Sequence, residues 1–184
     1  MKKTIAIIGS ARREGNTGKM IDWIASELDI AVIDLNTLNI SPFDYEHKNK
    51  QDDFLPTIHQ ILQYENIIFA SPVYWYAMSA PMKIFFDRIS DLLSLDELKD
   101  VGRALRNKVG YVVSTSISKQ PDESFLNSFV DTFGYLGMGF GAFVHADCKE
   151  GFNAEHYQRD VENFIGKLVG NKSESLTSSK VCNQ

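Results

Sequence analysis

The first regular segment of the sequence reads Thr4-Ile5-Ala6-Ile7-Ile8, and it continues directly into Gly9-Ser10-Ala11-Arg12-Arg13-Glu14-Gly15-Asn16-Thr17. The apolar run predicts a strand of a parallel sheet that is buried on both faces. From Thr17 onward the apolar residues are spaced by three and four positions, which predicts an amphipathic helix. The polar residues between these two elements therefore form a loop that ends at a helix N-terminus.

This loop has the composition of an anion-binding site. Unpaired backbone N–H groups and the positive end of the helix dipole meet at a helix N-terminus and attract negative charge. Ser10, Asn16 and Thr17 are small and polar, and Arg12 can add a charge-assisted contact. The simpler alternative is that these residues only cap the helix.

Two common phosphate-binding motifs do not fit this loop. The nucleoside triphosphatase pattern G-x-x-x-x-G-K-[ST] is absent, because Gly15 is followed by Asn16. The dinucleotide pattern G-x-G-x-x-G is absent as well, because Ala11 and Glu14 stand at its second and third glycine positions. The loop is thus predicted to bind an anion of another kind.

Strand-like and helix-like patterns alternate along the rest of the chain. Further strands are predicted at 30–35, 66–71, 108–114 and 141–146, and helices at about 17–28, 52–64, 80–93, 122–137 and 154–169. Five strands alternating with helices predict an α/β fold with a parallel sheet covered on both faces. The polar stretch 36–52 is expected to be a surface loop. We expect residues 1–170 to form one domain and residues 171–184 to be a disordered tail.

Composition and charge exclude several classes of function. A net charge of −5 argues against nucleic acid as a partner. No apolar run approaches the ~20 residues of a membrane span, and the start lacks a signal-like apolar core, so we expect a cytoplasmic protein without membrane contact. Cys148 and Cys182 lie far apart, which predicts free thiols and no metal site.

A second unusual segment follows the third predicted strand. It begins at Ser71-Pro72-Val73 and continues with three consecutive aromatic residues, Tyr74-Trp75-Tyr76. In parallel sheets, ligands bind beyond the carboxyl ends of the strands, so these rings are placed to cover a flat aromatic ligand. Alternatively, they pack under the following helix or in a dimer interface.

The fourth predicted strand leads to the same sheet edge. It is followed by the run Ser114-Thr115-Ser116-Ile117-Ser118, whose hydroxyl groups and small-residue N–H groups can hydrogen-bond a ligand. A serine-rich turn is also a common entry to a helix. The predicted helix 80–93 carries a broad apolar face with Met82, Phe85 and Phe86, part of which we expect to contact a second subunit.

These motifs carry a resemblance to a known family. The segment from Gly9 to Thr17 resembles the phosphate loop G-S-x-R-x-x-G-N-T of NADPH-dependent FMN reductases and related NAD(P)H oxidoreductases of the flavodoxin-like superfamily. Ser71 to Trp75, with Ser79-Ala80-Pro81-Met82-Lys83 and Phe86-Asp87-Arg88, is similar to the family's flavin-ring loop and the helix after it. The resemblance covers about residues 3–169. It implies a flavodoxin-like three-layer sandwich with strand order 2-1-3-4-5.

The resemblance also implies a cofactor and the residues that bind it. The phosphate of FMN would be held by Ser10, Arg12, Asn16 and Thr17, and its ring would be lined by Pro72, Val73, Tyr74, Trp75 and Tyr76. A third loop would correspond to Ser114, Thr115 and Ser116. The family's iron–sulfur branch carries a compact cysteine cluster, whereas this chain has no cysteine before Cys148, so no cluster is expected.

The implied activity is hydride transfer from NAD(P)H through bound FMN to a small-molecule acceptor such as a flavin or a quinone. Such a reaction depends on positioning. His47, His59, His145 and His156 are scattered, so we expect no catalytic acid, base or nucleophile from the protein. The alternatives are a non-enzymatic flavodoxin-like electron carrier and a domain that binds no flavin. A homodimer is also expected from the resemblance.

Overall fold

A computed structural model describes residues 4–170. The strands are β1 (Thr4–Ile8), β2 (Ala31–Asp34), β3 (Asn66–Tyr74), β4 (Ala77–Met78), β5 (Val109–Ser116) and β6 (Gly139–Asp147). The helices are α1 (Asn16–Leu28), α2 (Phe54–Ile61), α3 (Ala80–Ser94), α4 (Lys99–Ala104), α5 (Glu123–Leu136) and α6 (Ala154–Gly170). The tail predicted for 171–184 lies outside the described residues.

The five long strands form one parallel sheet in the order β2-β1-β3-β5-β6. Counted without the two-residue β4, this is the predicted order 2-1-3-4-5, so the α/β flavodoxin-like sandwich is confirmed. The strand order reverses between β1 and β3, where Ile8 pairs with Ala70. The carboxyl ends of β1, β3 and β5 therefore meet at one edge of the sheet.

Two elements differ from the sequence-based expectation. Strand β3 continues past Ser71 to Tyr74, where it turns back into β4 as an antiparallel hairpin. Pro72 ends the apolar pattern of the strand, so the pattern gave no sign of this continuation. The short helix α4 was also not predicted, since six residues flanked by 3₁₀ turns are too few to show a helical period.

The hydrophobic core has two layers, one on each face of the sheet. Helices α2, α3 and α5 cover one face, where Phe69, Phe86 and Phe133 are in ring contact at centroid distances of 5.2–6.4 Å. Helices α1 and α6 cover the other face, where Tyr111 packs edge-on against Phe164. No helix among residues 4–170 combines the length and hydrophobicity needed to cross a bilayer.

The long loop between β2 and α2 is fastened to α3 by one buried arginine. Arg88 is 1% exposed and donates to Asp52 at 2.5 Å, to Asp91 at 2.7 Å and to the Ser41 carbonyl at 3.0 Å. Burial alone would raise the pKa of Asp52, but hydrogen bonds from Arg88, Ser41 and Phe54 hold that pKa below its usual range. The polar loop therefore depends on a charge cluster inside the core.

We expect Arg88→Met to lower the free energy of unfolding by about 3–5 kcal/mol, because it leaves two buried carboxylates without their cation. Urea denaturation measures the change. Arg103→Met is the matched control, since Arg103 pairs with Asp100 on the surface and its loss should cost less than about 1 kcal/mol. The difference in stability between the two variants should narrow below about pH 4, because the pKa of Asp52 in the parent chain lies below its usual value and the ionised form that Arg88 stabilises is lost there. Equal stability losses in both variants would contradict the account.

Candidate functional site

A cleft of about 760 Å³ opens at the sheet edge where β1, β3 and β5 end. This volume lies within the range of small-molecule and cofactor sites. The loops after all three strands contribute to its walls. Eleven of the predicted site residues line it: Ser10, Arg12, Asn16, Thr17, Pro72, Val73, Tyr74, Trp75, Tyr76, Thr115 and Ser116.

The first wall is the N-terminus of α1. Gly15 is the N-cap residue, and no side chain within residues 4–170 caps the helix. The backbone N–H of Lys19 bonds back to the Gly15 carbonyl at 2.9 Å, which leaves the preceding amides of the first turn for a ligand. The alternative that this loop only supplies a helix cap therefore does not fit the structure.

The loop folds tightly over that first turn. A Cβ atom at position 18 would lie 1.6 Å from the carbonyl oxygen of Arg13, so only glycine fits there. The Ser10 hydroxyl donates to the Arg12 carbonyl at 3.1 Å, and the Asn16 side-chain oxygen accepts from the N–H of Phe152 at 3.2 Å. These bonds fix the loop while leaving the side-chain NH₂ of Asn16 to donate elsewhere.

The two arginines of the loop have different surroundings. Arg13 donates to Asp22 of α1 through Nη1 at 2.9 Å and also through Nη2. Arg12 is exposed and lines the cleft. It is the only Lys or Arg among the residues that line the cleft within the described part of the chain, and Asp122 is the only Asp or Glu. Arg12 is therefore the cation that can meet an anion in the cleft.

A buried pair of hydroxyl groups connects the first wall to the third. Thr17 Oγ1 and Thr115 Oγ1 are 2.7 Å apart, although the residues are 98 positions apart in the chain. Both side chains are nearly inaccessible, being 2% and 4% exposed. If Thr115 donates to Thr17, the Thr17 hydroxyl hydrogen is free to donate to a ligand.

The second wall is the β3–β4 hairpin. Tyr74 pairs with Ala77, so Trp75 and Tyr76 alone form the turn. Both have positive φ angles, 50° and 66°, which is the pattern of a type I′ turn that normally takes Asn-Gly. Trp75 is 93% exposed and Tyr76 is 66% exposed. These rings therefore do not pack under α3, and the turn presents them to solvent at the cost of backbone strain.

The third wall follows β5, and here one predicted residue does not reach the cleft. Ser114 is fully buried, and its hydroxyl lies 2.7 Å from Nδ1 of His145. Successive side chains of a strand point to opposite faces, so Ser114 and Thr115 cannot both face α1. The segment is also not the helix entry, because Asp122 caps α5 by accepting from the Ser124 N–H at 2.9 Å.

The cleft also has walls that sequence patterns did not predict. They come from the segment before α5 and from the end of β6: Gln120, Pro121, Asp122 and Cys148. Ile117 and Ser118, which belong to the predicted serine-rich run, line the cleft as well, and Ile117 is 77% exposed. Burial, with a smaller contribution from Asp147, raises the pKa of Cys148 to about 11, so this residue is a neutral thiol.

The cleft thus combines an uncapped helix start and a free arginine with an aromatic hairpin. The first two fit a phosphate group, and the hairpin fits a planar ring system. The fold is that of a flavodoxin-like protein, and the cleft is a candidate ligand site at the switch point of its sheet.

Comparison with known proteins gives the family. The model of the NADPH-dependent FMN reductase family matches residues 2–142. A Bacillus subtilis protein, YwqN, whose name describes an NAD(P)H-dependent FMN-containing oxidoreductase, is 30% identical over 150 residues, which cover 77% of this chain and 83% of that protein. The chain belongs to the NADPH-dependent FMN reductase family, a family of oxidoreductases that use FMN and NAD(P)H.

Further comparisons give one more sequence relative and two solved structures with a similar fold. An iron–sulfur flavoprotein of Archaeoglobus fulgidus is 26% identical over 154 residues, covering 75% of this chain and 66% of that protein. The solved structure of the Trp repressor binding protein from Bacillus subtilis has a TM-score of 0.67 at 26% identity, covering 90% of this chain and 95% of that one. An FMN-dependent NADH-azoreductase from Bacillus anthracis, solved with FMN, matches at a TM-score of 0.66 and 11% identity, with 92% and 98% covered.

Replacing Trp75-Tyr76 by Asn-Gly tests whether the turn is strained and whether its two rings contribute to ligand binding. We expect the double variant to unfold with a free energy higher by about 1–3 kcal/mol, because Asn and Gly adopt positive φ readily. It should also lose affinity for a planar ligand, measured with FMN. The control Trp75→Phe with Tyr76→Phe keeps both rings and both φ angles, so its stability should be unchanged. A double variant less stable than the parent chain would show that the turn is not strained.

Proposed function

We propose that the chain binds FMN in this cleft and transfers hydride from NAD(P)H to a small-molecule acceptor such as a flavin or a quinone. One observation carries the proposal: an uncapped helix N-terminus with its own arginine shares a cleft with an exposed aromatic hairpin. Membership of the FMN reductase family supports the choice of cofactor and donor.

The residues of the first loop fit the phosphate group of FMN. The free N–H groups at the start of α1 would donate to its oxygens, together with the Thr17 hydroxyl and the Asn16 NH₂ group. Arg12 would add the charge-assisted contact, since Arg13 is occupied by Asp22. Ser10 would act through the loop shape that its bond to the Arg12 carbonyl maintains.

The second and third loops fit the flavin ring. Pro72 has no N–H, but the neighbouring N–H groups of the hairpin can bond the polar edge of a heterocycle. Val73, Tyr74, Trp75 and Tyr76 would provide the ring wall, and Thr115 and Ser116 the opposite one. When bound, FMN supplies the redox chemistry that no side chain here can provide.

The open side of the cleft supports the proposed choice of substrates. Trp75 and Ile117 are largely exposed beside it, so a nicotinamide can stack there and an acceptor can follow at the same place. This arrangement predicts ping-pong kinetics and a broad choice of planar acceptors. Exposed rings at the rim of a cleft are also typical of an interface, so we further propose a homodimer in which the second subunit covers part of this rim.

The neighbouring arginines provide a matched pair of variants. Arg12→Ala should weaken FMN binding by about 1.5–3 kcal/mol, since it removes a charge-assisted bond to the phosphate. Arg13→Ala should leave the affinity within a factor of about three, because Arg13 bonds Asp22 outside the cleft. Quenching of flavin fluorescence measures both constants. Equal FMN affinities in the two variants would show that the phosphate group does not bind beside Arg12.

Anaerobic addition of NADH or NADPH to the FMN-loaded protein tests the activity. We expect the flavin absorbance to bleach within seconds and to return when a quinone is added. An electron carrier of the flavodoxin kind would instead react slowly with both nicotinamides and hold a long-lived one-electron-reduced state. Failure to bind FMN would exclude both functions.

A further inference from the structure

We propose that His145 is a positioning residue that holds the third loop of the cleft in place through two directed hydrogen bonds. His145 does not line the cleft, and no sequence motif marked it as a functional residue. The proposal rests on the proposed function for the identity of the cofactor. Its geometric part concerns the protein alone.

The ring of His145 lies behind the strand end that forms the third wall. In the register of β5 and β6, His145 lies opposite Ser114 and Asp147 lies opposite Ser116. Nδ1 is 2.7 Å from the Ser114 hydroxyl, and Nε2 is 3.0 Å from the Ser118 carbonyl oxygen. The Ser116 hydroxyl is 3.3 Å from Nε2. One imidazole therefore joins the last residues of β5 to the turn that follows.

These contacts define the tautomer. The Ser118 carbonyl can only accept, so Nε2 must carry the hydrogen and donate it. In the neutral ring Nδ1 is then an acceptor, and it takes the hydrogen of the Ser114 hydroxyl. The neutral ring thus satisfies both partners at once, and it gives the buried Ser114 hydroxyl an acceptor on the side of the strand away from the cleft.

The turn held by His145 carries residues of the cleft wall. Within this turn, the Ser118 N–H donates to the Ser116 hydroxyl at 3.0 Å. Ser116, Ile117 and Ser118 all line the cleft. Because the Ile117 side chain is exposed, its packing does not fix the turn. Loss of the imidazole would leave the Ser118 carbonyl with only the Ser116 hydroxyl of the same turn, at 3.2 Å, and would remove the bond that ties this turn to β6.

Protonation of His145 would oppose this packing. Burial lowers the pKa of His145, while the bond to Ser118 and the charge of Asp147 act in the opposite direction. The cavity beside the ring is lined by titratable groups of the loop, α5 and α6: Lys119, Asp122, Glu123, Tyr157, Asp160 and Lys167. The pKa of His145 beside the packed loop lies below the free value of about 6.5, so His145 binds a proton more strongly when the loop is detached. The packed loop is therefore disfavoured as the pH falls below about 6.5.

The test compares two substitutions in the full chain. His145→Phe keeps a ring but removes both bonds, whereas His145→Gln offers one acceptor and one donor without titrating. His59→Phe, on an exposed position of α2, is the control. Affinity for FMN is measured by fluorescence quenching from about pH 5 to about pH 8. Hydrogen exchange of residues 116–122 is measured without FMN.

We expect His145→Phe to weaken FMN binding by about tenfold at about pH 8 and to accelerate exchange in the loop. His145→Gln should bind FMN within about threefold of the parent chain at that pH. The phosphate of FMN itself titrates near pH 6, so the informative quantity is the ratio of parent to His145→Gln affinity at each pH. That ratio should fall by several fold towards about pH 5.

Parent-like affinity and exchange in His145→Phe would overturn the proposal. So would a His145→Gln variant as weak as His145→Phe, because a restored donor and acceptor would then restore no affinity, and so would a ratio that does not change with pH. If the parent chain binds no FMN, the proposed function fails. The exchange rates of the two variants still decide whether His145 holds the loop.

Discussion

No side chain among residues 4–170 caps the N-terminus of α1, and the arrangement of the cleft follows from this uncapped helix start. Free N–H groups at a helix start must find partners, and here they face a cleft in place of a capping serine or threonine. The loop can expose them only because Gly18 lets the chain pass within contact distance of the first turn. Thr17 then reaches Thr115, so the same turn also fixes the position of β5 relative to the phosphate loop.

The rigid sheet holds the strained turn of the second wall in place. Positive φ angles at Trp75 and Tyr76 cost conformational free energy. Backbone outliers of this kind persist only where the surrounding structure determines them. Val73 and Tyr74 extend a strand whose preceding residues are buried on both faces. The Ser71 hydroxyl accepts from the Ser79 N–H at 2.9 Å, which closes the base of the hairpin. A fixed sheet therefore presents a loop that local preferences would not choose.

Sequence patterns predicted the fold well because the sheet consists of continuous apolar runs separated by helices with a clear period. They also predicted most of the cleft, since Arg12, Asn16 and the aromatic triplet stand at strand ends, where parallel sheets collect ligand-binding residues. The remainder depends on tertiary contacts. Strand alternation turned Ser114 away from the cleft. Cys148 joined it through the end of β6, and the role of His145 depends on a register that no local pattern encodes.

The central claim is that the start of α1 recognises a phosphate group, and the affinity ratio of FMN to riboflavin tests it most directly. The two ligands share one ring system and differ only in the phosphate. Two or more charge-assisted bonds predict that FMN binds on the order of 100-fold more tightly at neutral pH and that rising salt reduces the ratio. Equal affinity for riboflavin would contradict the account, because the uncapped helix start and Arg12 would then contribute nothing to recognition.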